Sequence, residues 1–437
     1  MNGAWQFRPG EQPVTENHWV VVATRPLAAE IRGMLNLGPQ GSGVNRAPIR
    51  VRPDVARLRR ASWAFTTRRV PHNAPWSVIP SVGVPGTGDL VLARVDAIGH
   101  HDGLQLSNGR RKQMFVGDEI VVVYGNRYAC SQFEALVPKT MGPCHLVAGG
   151  GIASRAVSWH DRIVKGPTHI TPIGLLADAD GKRINLRDFA IRPVARISDP
   201  CPTTVAVVGT AMDSGKTQTA AFLVRGLIAA GLRVGYGKIT GTGAGGDTWL
   251  LKDAGAEPVL DFTDAGLPST YLATPETIDQ VLMTLLAHIA HEGVDAVVLE
   301  VADGIFQCET AALLRSPVFA QLIGGVVLAA RDAMGASAGV NWLSAQSTPV
   351  LALSGLLSAA PLQCAEASLV TGLPVYNREV LAMASTAMGL IGRTQRKIEI
   401  QVQRGSATQA QQDCLIQGQQ EIVIMESTNG CNEITSL

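Results

Sequence analysis
Residues 205–224 read VAVVGTAMDSGKTQTAAFLV. Four apolar residues and a glycine, then a polar loop, then a stretch with helical spacing describe a buried strand, a turn and a helix beginning near Gly215. In that setting the successive backbone N–H groups of the loop point inward, and the helix dipole adds partial positive charge. Gly209 and Gly215 let the chain bend tightly and approach a phosphate closely. The loop Gly209–Thr217 is expected to bind ATP, with Thr210, Asp213 and Ser214 forming its wall. Lys216 would reach the β- and γ-phosphates, and the Thr217 hydroxyl would meet Mg2+. Five residues separate Gly209 from Gly215, where the common pattern has four, so Thr210 stands where the first glycine usually does.

Outward from this loop, residues 203–376 alternate apolar strands with helical patterns. The strand candidates are TVAVVG, RVGYGKIT, AVVLEVA, GVVLAA and PVLALSG. In KTQTAAFLVRGLIAAG, Leu223, Leu227 and Ala230 share a face. Short, continuous apolar strands fit a parallel sheet covered on both sides, so the fold expected is an α/β P-loop sheet with flanking helices. In such sheets ligands gather at the carboxyl ends of the strands. Glu300 ends AVVLE, and Asp247 follows the glycine-rich GTGAGGD. With Thr217 they make an oxygen donor set of the kind Mg2+ prefers. Each also has a plainer reading: Asp247 as a cap for the helix TWLLKDAG, Glu300 as the partner of an arginine. Asp303, Gln307 and Glu309 follow in VADGIFQCETAALL, with helix capping as the alternative for the last of these. Asp264, Ser269 and Thr270 lie in a polar, proline-containing loop that would line a substrate pocket or simply be a loop.

The variant spacing carries a resemblance. GTAMDSGKT resembles the GT-x4-GKT loop of dethiobiotin synthetase and its relatives in the signal-recognition, MinD and BioD (SIMIBI) class of P-loop proteins. The resemblance implies a catalytic Lys238 beside Lys216, since VGYGKITGTG looks like that family's second strand, although Ile239 replaces the proline of its Lys-Pro-Val. It implies Mg2+ ligation by Glu300, where Val301 departs from the family's Glu-Gly-Ala-Gly, and by Asp247. It places Ser354 and Gly355 against the base, without the family's asparagine. The likeness covers about 170 residues, roughly 40% of the chain. The loop is also weakly similar to the DUF1611 family, which includes N-acetyltransferases. Three functions follow. One is an ATP/Mg-dependent enzyme of small-molecule metabolism, by phosphoryl transfer or ATP-driven ligation. The second is a nucleotide-driven switch or loading ATPase acting on a protein partner, against which Ala211 stands where the MinD-type lysine belongs. The third is an acyltransferase that keeps the loop for coenzyme A phosphates. No Asn-Lys-x-Asp segment selects guanine, so adenine is expected.

The whole chain has 437 residues, which at roughly 150 per domain allows two or three domains. Hydrophobic residues at 46% supply a sizeable core, and a net charge of +1 gives no reason to seek nucleic acid or an anionic membrane. No apolar run reaches the ~18 residues of a spanning helix, and the opening MNGAWQFRPGEQP lacks the apolar core of a secretion signal. The expectation is a cytoplasmic protein with a small-molecule substrate, a homodimer being left open. The seven cysteines show no zinc-ligand spacing and read as reduced thiols. Five segments are expected. Residues 1–84 are rich in Pro, Gly and Arg, with the arginines concentrated at 46–70 as solvated surface or phosphate contacts. Residues 85–140 read as a small antiparallel barrel punctuated by Gly88-Asp89, Asn108-Gly109 and Gly117-Asp118. Residues 141–202 connect, with a glycine turn at 149–151 leading into a helix, IASRAVSWHDRIV, and a hairpin turn at Asp180-Gly181. Residues 203–376 form the P-loop domain, and 377–437 a loosely held extension.

Overall fold
Two sheets divide the computed structural model, which describes residues 53–80, 83–194, 197 and 201–394. The apolar run at 19–25 and the polar tail at 405–420 lie outside the described residues.

The first sheet is β-rich and begins after a short helix, α1 (Val55–Arg60). Its strands are β1 (Ser62–Trp63), β2 (Ser77–Ile79), β3 (Leu90–Ala97), β6 (Glu119–Tyr124), β7 (Arg127–Tyr128), β8 (Phe133–Leu136), β9 (Cys144–Ala148), β10 (Ile152–Trp159) and β11 (Thr168–Ala177). A separate hairpin pairs β4 (Gly103–Gln105) with β5 (Arg111–Gln113). Pairing runs β6–β3–β11–β9–β10, and β10 returns to β6 in parallel register, so five strands close a ring. Closure removes exposed edges. This ring draws on a longer stretch than 85–140: β9, β10 and β11 follow residue 140, and β1 and β2 pair with it from before residue 85. Residues 152–159 are strand rather than helix. Ile152, Ala153, Ser154 and Ala156 are buried while Arg155 and Val157 are exposed; Ile152 and Ala153 pack into different apolar clusters, so both faces are covered at the start of the strand and the alternation of period two shows only over 154–157. The Asp180-Gly181 turn forms, with Gly181 at φ 77°.

The second sheet has six strands, all parallel: β12 (Thr203–Gly209), β13 (Val234–Thr240), β14 (Val259–Asp261), β15 (Ala296–Val301), β16 (Gly325–Ala329) and β17 (Val350–Ser354), in the order β14-β13-β15-β12-β16-β17. The helices are α2 (Lys216–Ala229), α3 (Gly245–Asp253), α4 (Pro275–His291), α5 (Cys308–Arg315), α6 (Pro317–Leu322), α7 (Ala333–Ala345), α8 (Pro361–Thr371) and α9 (Arg378–Leu381). They bury both faces. One core gathers α4, α5 and α7 around Val297, Leu299 and Leu328; the other gathers α2 around Val205, Val207 and Val298. This is the α/β P-loop architecture, with the β-rich domain preceding it. The chain after 376 is not loose as far as it is described: Leu381, Ala387, Leu390 and Ile391 are buried in the α2 core.

Several contacts bind barrel to α/β sheet. The half-buried Arg68 guanidinium pairs with Asp261 at 3.0 Å and Asp264 at 2.6 Å. Gln105 accepts from the Gly245 N–H at 2.7 Å, and Ser131 donates to Asp213 at 2.6 Å. Gly150 lies so close to the Gly243 carbonyl that a Cβ would collide with it. The 46–70 arginines thus include structural members, since Arg57 also pairs with Glu119 at 2.6 Å.

Candidate functional site
The phosphate loop sits where β12 ends in the middle of its sheet. Gly209 is tied on both sides: Thr210 donates to the Ala329 carbonyl at 3.0 Å, and Ile305 donates to the Gly209 carbonyl at 2.9 Å. Gly215 caps the N-terminus of α2 at φ 98°, a conformation that favours glycine, and a Cβ there would press on Gly355 at 3.0 Å. A Cβ on Gly209 would strike the Lys216 side chain. Asp213 adopts φ 59° at the loop's crest. Lys216 is buried and folds back over the loop, its Nζ donating to the Ala211 carbonyl at 2.9 Å. Burial, first of all, depresses its pKa, while Glu300 and Asp303 act the other way. The buried Ser214 hydroxyl has no partner. A cradle closed to side chains, with a desolvated ammonium and an unsatisfied hydroxyl, suits an anion.

At the start of α2, Thr217 Oγ1 lies 3.1 Å from Glu300 Oε1 and 3.4 Å from Asp247 Oδ1. Glu300 is 1% exposed and also accepts from the Tyr236 hydroxyl at 2.9 Å. Lys238 ion-pairs with Asp247 and stands 3.4 Å from Glu300. Burial works against the Lys238 charge, but Asp247 and then Glu300 outweigh it and its pKa is raised. Asp247 is held below its ordinary range: burial opposes its charge, and Lys238 more than compensates. The structure therefore brings Thr217, Lys238, Asp247 and Glu300 to one point. Asp247 does not cap α3, whose N-cap is Ala244, and Glu300 pairs with a lysine and a tyrosine rather than an arginine. Two carboxylates and a hydroxyl are hard oxygen donors of the type that holds Mg2+ beside a triphosphate. Among the described residues no group of three or more His, Cys, Asp and Glu could hold a metal by itself.

On the other side of the loop a cavity of about 500 Å³ is bounded by Gly215, Ser354, Gly355, Asn377, Arg378 and Glu379, among others. Ser354 lies 3.2 Å from Thr219 through their hydroxyls, and Gly355 takes φ 91°. Residues 377–379 were missed in the sequence because they lie beyond the boundary drawn at 376. The signal was there: Asn377 starts a helix, accepting from the Val380 N–H at 2.9 Å.

The polar residues of the other loops mostly serve the fold. Gln307 caps α5, Glu309 accepts from the Leu272 N–H at 2.7 Å, Thr270 accepts from the Gly241 N–H at 2.8 Å, and Asp264 holds Arg68. Asp303 is different. It lines a second cavity, between barrel and loop, and burial raises its pKa against the lowering influence of Lys216, Lys238 and Arg127. Arg127, Ser131 and Tyr236 also escaped the sequence reading, for nothing in their local sequence marks them.

No protein-family model matches the chain, and no curated protein does. Solved structures do. One is the signal recognition particle 54 kDa protein from Aeropyrum pernix K1 in complex with GDP (20% identity, TM-score 0.31, covering 49% of this chain and 53% of that one). Another is the signal recognition particle receptor FtsY from Elizabethkingia anophelis (18%, TM-score 0.30, 46% and 67%). A third is a DUF1611 family protein from Anabaena variabilis (16%, TM-score 0.32, 49% and 64%). The chain spans about half the length of the Aeropyrum protein. The class defined by this chain's own sheet order and loop is a P-loop α/β domain joined to a closed β-barrel. No helix of the described residues is long and apolar enough to cross a membrane.

Proposed function
We propose that the protein is an ATP- and Mg2+-dependent enzyme of small-molecule metabolism that uses the triphosphate for phosphoryl transfer or ligation. The observation that carries this reading is the meeting of Thr217, Asp247 and Glu300 at the mouth of the loop Gly209–Thr217. The loop amides and Lys216 hold the phosphates, and Thr217, Asp247 and Glu300 hold the metal. Mg2+ there would neutralise charge on the β- and γ-oxygens. Lys238 keeps the two carboxylates in place and adds positive charge beside the reacting group. Ser354, Gly355 and Asn377 face the nucleoside, for which adenine is the proposed base.

A thermal-shift survey of ATP, GTP and acetyl-coenzyme A, each with and without Mg2+, tests the reading. Stabilisation by Mg·ATP, lost in Lys216→Ala, is expected. A response to acetyl-coenzyme A alone would move the function to acyl transfer. ADP release that depends on a protein partner rather than on a small acceptor would move it to a switch.

A further inference from the structure
Between the barrel and the phosphate loop lies a cavity of about 310 Å³. Met212, Lys238, Asp247 and Asp303 contribute from the α/β side and Arg127 and His101 from the barrel, so its floor is the metal side of the loop, away from the nucleoside cavity.

Arg127 is the anomaly in it. It is 6% exposed, yet none of the ion pairs among the described residues involves it. Its Nη2 donates to Gln132 Oε1 at 2.7 Å, its Nη1 lies 3.1 Å from His101 Nε2, and its Nε has no partner. The histidine contact is compromised, because the same Nε2 lies 2.9 Å from the Val147 carbonyl. One ring nitrogen cannot donate to that carbonyl and accept from Arg127 at once. His101 adds no charge: burial, then Arg127 itself, pushes its pKa down to about 3. Burial likewise lowers Arg127, to about 10, with Asp303 the acidic group acting on it. A guanidinium has five N–H donors, and here neutral acceptors meet two of them at best. Burying a cation without a hydrogen-bonded counter-ion is costly. The half-buried arginine at this domain junction, Arg68, has two carboxylates. Arg127 has none, and it faces open space beside the site of the triphosphate.

We propose that this cavity binds the acceptor substrate through a carboxylate or phosphate group seated on Arg127. The guanidinium fork matches such oxyanions in geometry and charge. The barrel therefore supplies the acceptor site and the α/β domain the nucleotide site. This assignment of an acceptor rests on the phosphate-loop reading above; the anion site itself does not.

The test uses the full chain and four probes at 10 mM: acetate, succinate, glycerol 3-phosphate and the neutral succinamide. Thermal unfolding and calorimetry are run on the wild type, Arg127→Met, Arg127→Lys and Lys216→Ala. At least one anion should raise the midpoint by about 2 °C in the wild type and in Lys216→Ala, which lacks the loop lysine. Succinamide should have no effect. Arg127→Met should weaken the anion by about 10- to 100-fold, and Arg127→Lys by less. A carboxylate response or a phosphate-ester response identifies the group. Mg·ADP affinity should be the same in Arg127→Met as in the wild type. The proposal is overturned if no anion binds, if binding persists undiminished in both Arg127 variants, if it vanishes in Lys216→Ala, or if Arg127→Met loses Mg·ADP tenfold. Failure of the phosphate-loop reading looks different: nucleotides would then not bind the wild type, while the Arg127-dependent anion response would remain.

Discussion
Glu300→Gln keeps the shape of a buried side chain and removes its charge. Three partners feel the change. The Tyr236 hydroxyl at 2.9 Å still finds an amide oxygen, and Thr217 at 3.1 Å still has a polar neighbour. Lys238 at 3.4 Å loses one of two carboxylates but keeps Asp247. At that distance two unit charges attract by about 5 kcal/mol for an effective dielectric of about 20. Most of this is offset, because an ionised carboxylate no longer has to be kept out of water. Removing a partner from an isolated buried pair costs about 3–5 kcal/mol. With Asp247 remaining, we expect about 1–3 kcal/mol of destabilisation and an intact fold. The larger effect falls on the metal. Losing one oriented carboxylate should raise the Mg2+ concentration for half-maximal ATP turnover by about 10- to 100-fold, the range seen when an ordered partner of a metal site is removed. Binding of ATP in EDTA should change little, since the loop amides and Lys216 are untouched. The assay is ATP turnover against free Mg2+, with calorimetry in EDTA and a melting curve as controls. A metal titration that superimposes on the wild type's, in a folded variant, would refute the reasoning and leave Glu300 as a structural anchor for Tyr236 and Lys238.

Lys216→Ala should abolish triphosphate binding in calorimetry with the circular dichroism spectrum preserved; unchanged affinity would sink the phosphate-loop reading. ATP should displace a fluorescent nucleotide more effectively than GTP, and tighter GTP binding would contradict the adenine assignment. Gly355→Ala forces a non-glycine residue to φ 91° and drives its Cβ against the Ser214 carbonyl. Backbone strain alone predicts about 1–3 kcal/mol of lost stability together with weaker nucleotide binding, and an unshifted melting point would rule this out. Arg68→Met removes the cation shared by Asp261 and Asp264 and leaves Asp264 only Arg69, 3.7 Å away, at about 2–3 kcal/mol near neutral pH. Burial already raises the Asp264 pKa, with Arg68 holding it back. Without Arg68 the folded-state pKa rises further above the unfolded value, so the native state takes up a proton as pH falls through it, and the penalty present above that pKa is relieved. Urea midpoints of variant and wild type should therefore lie closer together at pH 5 than at pH 8; a constant gap would show that charge is not the cause.

The α/β domain was legible because its signals are local. Most of the five strands named in the sequence are built on apolar runs, and the loop lies between one such run and a helix; the sixth, β14, is three residues long and carries no such signal. The carboxylates could be placed because a parallel sheet puts strand ends on one edge, which is where Asp247, Glu300 and Thr217 meet. The barrel was half legible. Its turns are marked by Gly and Asp, but a ring closed by a parallel β6–β10 pair joins segments about thirty residues apart, and no local pattern encodes that closure. The error at 152–159 has the same root, since a strand packed on three neighbours carries too many apolar residues for its alternation to stand out. Arg127 is the extreme case. In sequence it is one arginine in GNRYAC; its meaning comes only from burial and from what fails to pair with it.

The contacts between the two domains limit what the site can do. Gln105 holds the N-terminus of α3, the helix that carries Asp247, and Ser131 holds Asp213 on the crest of the loop. Arg68 fixes the barrel to the end of β14 and the loop that follows it, with two strands between β14 and the strand that carries the phosphate loop. The barrel thus grips the elements on either side of Asp247 and Glu300, and the cavity left between them is bounded by both domains. The cavity beside Ser354 and Gly355, by contrast, is bounded by the α/β domain alone. A barrel that only stabilised the α/β domain would need no buried, unpaired guanidinium beside the loop. Placing one there weakens the empty protein and gains something only when an anion arrives, which is the arrangement expected where binding energy serves to position a reacting partner rather than to hold the fold.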